Sequence, residues 1–194
     1  MTAGSHHLAV YNFGIHVDSS ESVAVRGFAL REPLNFAAAE RAPGFIARSG
    51  YQGVPGPRSW GQLVFPRFLS QHSGGAGVSQ LSLWRDLESL MAFTYTGVHA
   101  DALKHARHWN VVQEWPPMVL FWVPAGQRPE WKDGVERLEM LVDHGSGPQC
   151  FTFKEPYGPH RMPTAVDRSL VKQLAAGNVA AQGGLLDAVL KLPV

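Results

Sequence analysis

The order of apolar segments in this chain predicts an α+β fold, one antiparallel sheet with its helices packed on one face. Three observations carry the prediction. Runs of strand length and apolar or alternating character stand at Leu8 to Ile15, Phe45 to Tyr51, Val78 to Trp84 and Met118 to Pro124. Between them lie stretches whose apolar residues recur every three or four positions, the period of a helix face. Strand and helix candidates alternate as β-α-β twice over, and two successive βαβ halves make the ferredoxin-like pattern.

The first strand, LAVYNFGI, follows a polar leader whose His6 and His7 are given no weight. Ser19 and Ser20 offer an N-cap for a helical stretch from Glu21 to Arg41, which Pro33 is expected to split or kink and Pro43-Gly44 to end. After the second strand, residues 52–77 form a glycine- and proline-rich excursion that nevertheless carries Trp60, Leu63, Phe65 and Phe68. Those side chains fit an ordered lid over a pocket or a neighbouring subunit; a plain disordered connection is the competing reading. In Val78 to Trp84, Val78, Gln80, Ser82 and Trp84 share one face. Asp86 opens a long helix to about Trp109, with a stripe through Leu87, Leu90, Thr94, Val98, Ala102 and Ala106. Pro129 introduces a helix from Trp131 to about Asp143 that Gly145 ends, and CFTFKEP supplies a last short strand near Phe151.

The chain therefore divides into an α+β domain over residues 8–155, containing the excursion, and a helical appendage over 156–194 with interruptions at Gly177 and Gly183-Gly184. A sheet with helices on one face needs its other face covered, most simply by a second copy across a two-fold axis, so a homodimer is expected.

Composition narrows the function classes. Of the 194 residues, 45% are hydrophobic, 17% are charged and six are tryptophan, so bulky apolar surface must go to a core, a pocket or an interface. Seventeen basic against sixteen acidic residues argue against electrostatic binding to nucleic acid or membrane. Cys150, the single cysteine, excludes an intramolecular disulfide framework. No run approaches a membrane span in length, and the default expectation is a cytoplasmic protein. Phosphate-loop, dinucleotide and nucleophile-elbow motifs are absent.

Three histidines on the long helix suggest a metal, but the angles oppose it. At about 100° per residue, His99 and His105 stand about 240° apart, and His108 lies opposite His99. His99 sits at the edge of the buried stripe; it is either a half-buried histidine satisfied by hydrogen bonds or a pocket acid/base. Tyr95 extends its face. Asn12 interrupts an apolar strand, where its amide either serves a ligand or marks a bulge or edge. Trp84 and Trp122 are strand tryptophans able to wall a cavity, and Trp60 and Phe65 of the excursion are able to close it.

LSLWRDLESLMAFTYTGVHADALKHARHW, with MVLFWVPAGQRPEWKDGVERLEMLVDHGSGPQCFTF, resembles the domain-of-unknown-function 3291 family; LAVYNFG and APGFIARSG match its opening. Gln127, Asn110, the excursion and the tail depart from the family pattern. That family is similar to the dimeric α/β-barrel superfamily, which includes antibiotic-biosynthesis monooxygenases and haem-degrading enzymes. The resemblance implies a ferredoxin-like unit paired as a dimeric α/β barrel, with ligands between the sheet and its helices. It also implies a pocket asparagine on the first strand and a pocket histidine on the helix after the third strand, positions that Asn12 and His99 match. The resulting expectation is an enzyme of secondary metabolism acting on a hydrophobic, aromatic or polyketide-like metabolite, by monooxygenase-like oxygenation or acid/base rearrangement. His99, Asn12 and Tyr95 would be catalytic, with Trp84, Trp122, Phe65 and Trp60 around the substrate. No cofactor is called for; a haem enzyme with His99 as axial ligand is one alternative, and a non-catalytic small-molecule binder is the other.

Overall fold

The computed structural model describes residues 5–72 and 75–194. In chain order its elements are β1 (His6–Ile15), α1 (Arg26–Glu40), β2 (Phe45–Arg48), β3 (Gly77–Trp84), α2 (Leu87–Thr94), α3 (Gly97–His105), β4 (Met118–Pro124), α4 (Trp131–His144) and α5 (Arg168–Val189). The strands form one four-stranded antiparallel sheet in the order β2-β3-β1-β4. An α+β protein with this sheet is compatible with the ferredoxin-like expectation. No helix among the described residues is long and apolar enough to cross a membrane.

The central strand shows why the sheet is buried on both sides. Alternation sends Leu8 and Val10 of β1 to one face and Ala9, Tyr11, Phe13 and Ile15 to the other. On the first face, Leu8, Val10 and Trp84 pack against Ala38 of α1, Leu90 and Phe93 of α2, Val98 of α3 and Val189 of α5. On the second, Tyr11, Leu83 and Phe121 meet Trp131, Leu138 and Leu141 of α4, together with Trp60 and Phe68 of the excursion.

Helices on one face only is thus corrected: α4 and the excursion cover the second face within one chain. The physical link is aromatic and polar at once. The Trp131 ring stacks on Tyr51 at 5.9 Å, its Nε1 donates to the Ser59 hydroxyl at 3.1 Å, and its backbone N–H donates to the Trp60 carbonyl at 3.0 Å. Further along, Phe68, Trp115 and Phe13 stack at 4.9 and 5.9 Å.

Four smaller expectations change. Pro33 leaves α1 unbroken; it lies on the exposed side, and so does Ala29, whose carbonyl loses the N–H partner and can turn to water. The long helix from Asp86 divides at Tyr95-Thr96, because Gly97 takes a left-handed φ of 58° that opens a new helix, α3. The strand near Phe151 is a single antiparallel bridge to Leu120. In α5, capped by the Asp167 carboxylate, Gly177 is helical and the irregularity is confined to Gly183.

Candidate functional site

Where α1 and α3 diverge from the sheet, a cleft of about 180 Å³ opens. Its floor comes from β1 and β3: Asn12 continues the Leu8-Val10 face and stands opposite Gln80 in the antiparallel register. Directly opposed residues in such a pair put their side chains on the same face, about 5 Å apart at Cβ. From α1 come Phe28, Glu32 and Asn35; from α3 and the turn after it come His99, Leu103 and Trp109.

The helix break determines the chemistry of His99. In an unbroken helix the Thr94 carbonyl would accept from the Val98 N–H. Here the Val98 N–H donates to Gln182 Oε1 of α5 at 2.9 Å, and His99 Nδ1 lies 2.9 Å from the Thr94 oxygen instead. A carbonyl only accepts, so Nδ1 carries the proton and Nε2 keeps a lone pair. Burial against groups such as the Phe93 ring, 4.9 Å away, holds the imidazole below its ordinary value, against a smaller opposing effect of the Thr94 carbonyl. His99 is a neutral, oriented base.

Glu32 is shifted the other way. Burial raises its carboxyl above the usual range, and hydrogen bonds from Tyr51 and Gln80 and the field of Arg48 offset part of that. The Tyr51 hydroxyl lies 3.2 Å from Glu32 Oε1 and 2.9 Å from the Ser79 carbonyl. With one proton it serves only one of them at a time. Arg31, beside Glu32, is held by Asp101 and by the Gly27, Leu192 and Pro193 carbonyls, which take four of its five donors.

Among the residues singled out in the sequence, Asn12 and His99 meet on this cleft. Trp84 is core, between Phe45 and Phe93, although it also lines a 40 Å³ space that Gln80 and His99 share. Phe65 lines an adjoining cavity of about 260 Å³ that shares Phe28, Glu32, Val78 and Ser79 with the cleft. The other three stand away from it. Tyr95 caps α2, 56% exposed, beside Phe153, because the break at Gly97 uncouples it from His99. Trp122 donates to the Tyr157 carbonyl at 2.7 Å and pins the following segment to the sheet. Trp60 lies in the core of the opposite face, as the excursion covers that face rather than the cleft.

Sequence reasoning misses Gln80, Glu32 and Asn35. Gln80 has the same signal as Asn12, a polar residue on a buried strand face; Glu32 and Asn35 share a helix side at i, i+3 and carry no comparable mark.

A cavity of about 150 Å³ accepts benzene, so 180 Å³ is the space of one ring rather than of a tetrapyrrole. Among the described residues, no three His, Cys, Asp or Glu side chains group to hold a metal ion.

A family model described as a domain of unknown function, DUF3291, matches residues 7–167. No curated protein and no solved structure matches the chain.

Proposed function

The chain belongs to the DUF3291 family, and from the geometry of its cleft we propose an enzyme that moves a proton on a small metabolite about the size of one aromatic ring. The meeting of Asn12 and His99 on one cleft, with His99 oriented by the Thr94 carbonyl, carries the reading. His99 Nε2 takes the proton; a neutral imidazole is the form able to do so at physiological pH. The Asn12 amide, opposite Gln80, donates to the oxygen on which negative charge develops. Phe28, Leu103 and Trp109 supply apolar contact for a ring, so rearrangement or cyclisation of an aromatic or polyketide-like compound falls within the reading.

The strand order supports kinship with the dimeric α/β-barrel superfamily. The face-to-face pairing of two sheets loses its rationale, since α4 and the excursion already bury the face it would use. The haem alternative draws no support from the cleft's size.

Single-ring compounds, screened for binding by ligand-observed NMR, provide the test. Those that bind are incubated with protein in D2O. Expected is deuterium uptake at an acidic C–H, reduced about 100-fold or more in His99→Gln while binding persists. Binding without exchange that depends on His99 leaves a non-catalytic binder and overturns the enzyme.

A further inference from the structure

Resting on that cleft as the ligand site, we propose that its ligand carries a protonated amine, seated between Glu32 and Asn35 with the remainder of the molecule against Phe28 and Trp109. The hydrogen-bond inventory of the cleft selects this class. Asn35 Nδ2 donates to the Arg31 carbonyl at 3.2 Å, which fixes Oδ1 as the acceptor, and Oδ1 is buried without a donor. Glu32 shares its tyrosine proton with the Ser79 carbonyl and keeps Gln80 as its other partner. His99 Nε2 is a third acceptor on the same cleft. Glu32 and Asn35 lie one turn apart on α1, and Gln80 links Glu32 to the sheet opposite Asn12, so the two α1 acceptors stand together beside the floor.

An ammonium group has three donors and no acceptor, and a carboxylate placed between Glu32 and Asn35 would meet the Glu32 carboxylate and the Asn35 Oδ1, both acceptors. Charge points the same way. Among the described residues no ion pair reaches Glu32: Arg31 is consumed by Asp101, and Arg48 gives Nε to Glu40 at 3.1 Å with its guanidinium over the Phe36 ring. A half-buried carboxylate with no cation in contact is costly, and an incoming cation relieves that cost. Trp109 Nε1, a donor among the lining residues, also lacks a partner.

Three probes of matched size decide the matter: benzylammonium, benzyl alcohol and benzoate, titrated by calorimetry against wild type and Glu32→Gln. Expected in wild type is benzylammonium binding at least about tenfold tighter than benzyl alcohol, with benzoate weakest. In Glu32→Gln that preference collapses while benzyl alcohol is held as before. If the variant does not fold, wild type alone suffices: benzylammonium affinity falls as pH is lowered and Glu32 takes up a proton, and benzyl alcohol affinity stays level. Groups facing Glu32 that titrate or carry charge are Tyr51, Arg48, Arg31, His16 and His99. Protonation of the two histidines would add to the acid loss, so His99→Gln and His16→Asn are expected to keep most of it. Equal binding of alcohol and ammonium, a preference for benzoate, or a preference that survives Glu32→Gln overturns the inference and leaves the cleft as the ligand site. Failure of all three probes to bind overturns the cleft itself.

Discussion

Burial pushes two groups of the same cleft in opposite directions: it keeps His99 unprotonated and it keeps a proton on Glu32 longer than usual. Stability therefore depends on pH in a divided way. Below the ordinary histidine value of 6.5, the unfolded chain takes up protons that the folded His99 and His16 refuse, so stability falls as pH falls. Each histidine contributes a slope of at most about 1.4 kcal/mol per pH unit. Glu32 acts oppositely: stability it contributes is full below its ordinary value of 4.5 and is lost as pH rises through its higher folded value. Urea unfolding between pH 7 and 4.5 is expected to show a shallower acid loss for His99→Asn than for wild type, and a steeper one for Glu32→Gln. Identical slopes in all three proteins would show that neither group is perturbed. An imidazole NMR spectrum is expected to find His99 as the Nδ1–H tautomer at pH 7.

At the scale of elements, the junction between α2 and α3 is the decisive feature. A continuous helix would have tied up the Thr94 carbonyl and left His99 without its orienting bond. The junction depends on two residues far apart in sequence. Gly97 occupies a left-handed conformation, and a Cβ there would lie 2.0 Å from Gln182 Oε1. Gly97→Ala is expected to cost about 2 kcal/mol or more, from backbone strain and the displaced amide. Gln182→Ala leaves the Val98 N–H buried without a partner and is expected to cost about 1–3 kcal/mol by thermal unfolding. It should also loosen the α2–α3 junction that directs the Thr94 carbonyl to His99, releasing the His99 ring. The tautomer signal then becomes a mixture, an effect that plain loss of stability would not produce.

For the whole molecule, the two covered faces of the sheet matter most. Sedimentation equilibrium at micromolar concentration tests the expected homodimer. The face through which two sheets would meet is covered by α4 and the excursion. A monomer mass of 21.2 kDa is therefore expected if pairing depends on that face, and a dimer mass would mean that another surface pairs. The first face depends on α5. Its Val189 is fully buried, Leu185 and Leu186 pack beside it, and the carbonyls of Leu192 and Pro193 hold Arg31. This helix lies outside the span of the family match. Deleting residues 168–194 is expected to cost more than about 3 kcal/mol, read as a lower Tm and as dye binding to exposed core.

By itself the sequence determined the strand and helix alternation, the α+β class and the two polar residues, Asn12 and His99, that break the pattern of buried faces. These are local signals: a period of two or of 3.6, and a polar side chain where the period calls for an apolar one. Only the tertiary structure decided what the excursion covers, that Tyr95 turns away while Gln80, Glu32 and Asn35 turn in, and which proton His99 carries. The last of these rests on a bond between Val98 and Gln182, 84 positions apart. Periodicity reports which face of an element is buried; it does not report which distant element buries it, or which carbonyl that contact leaves available.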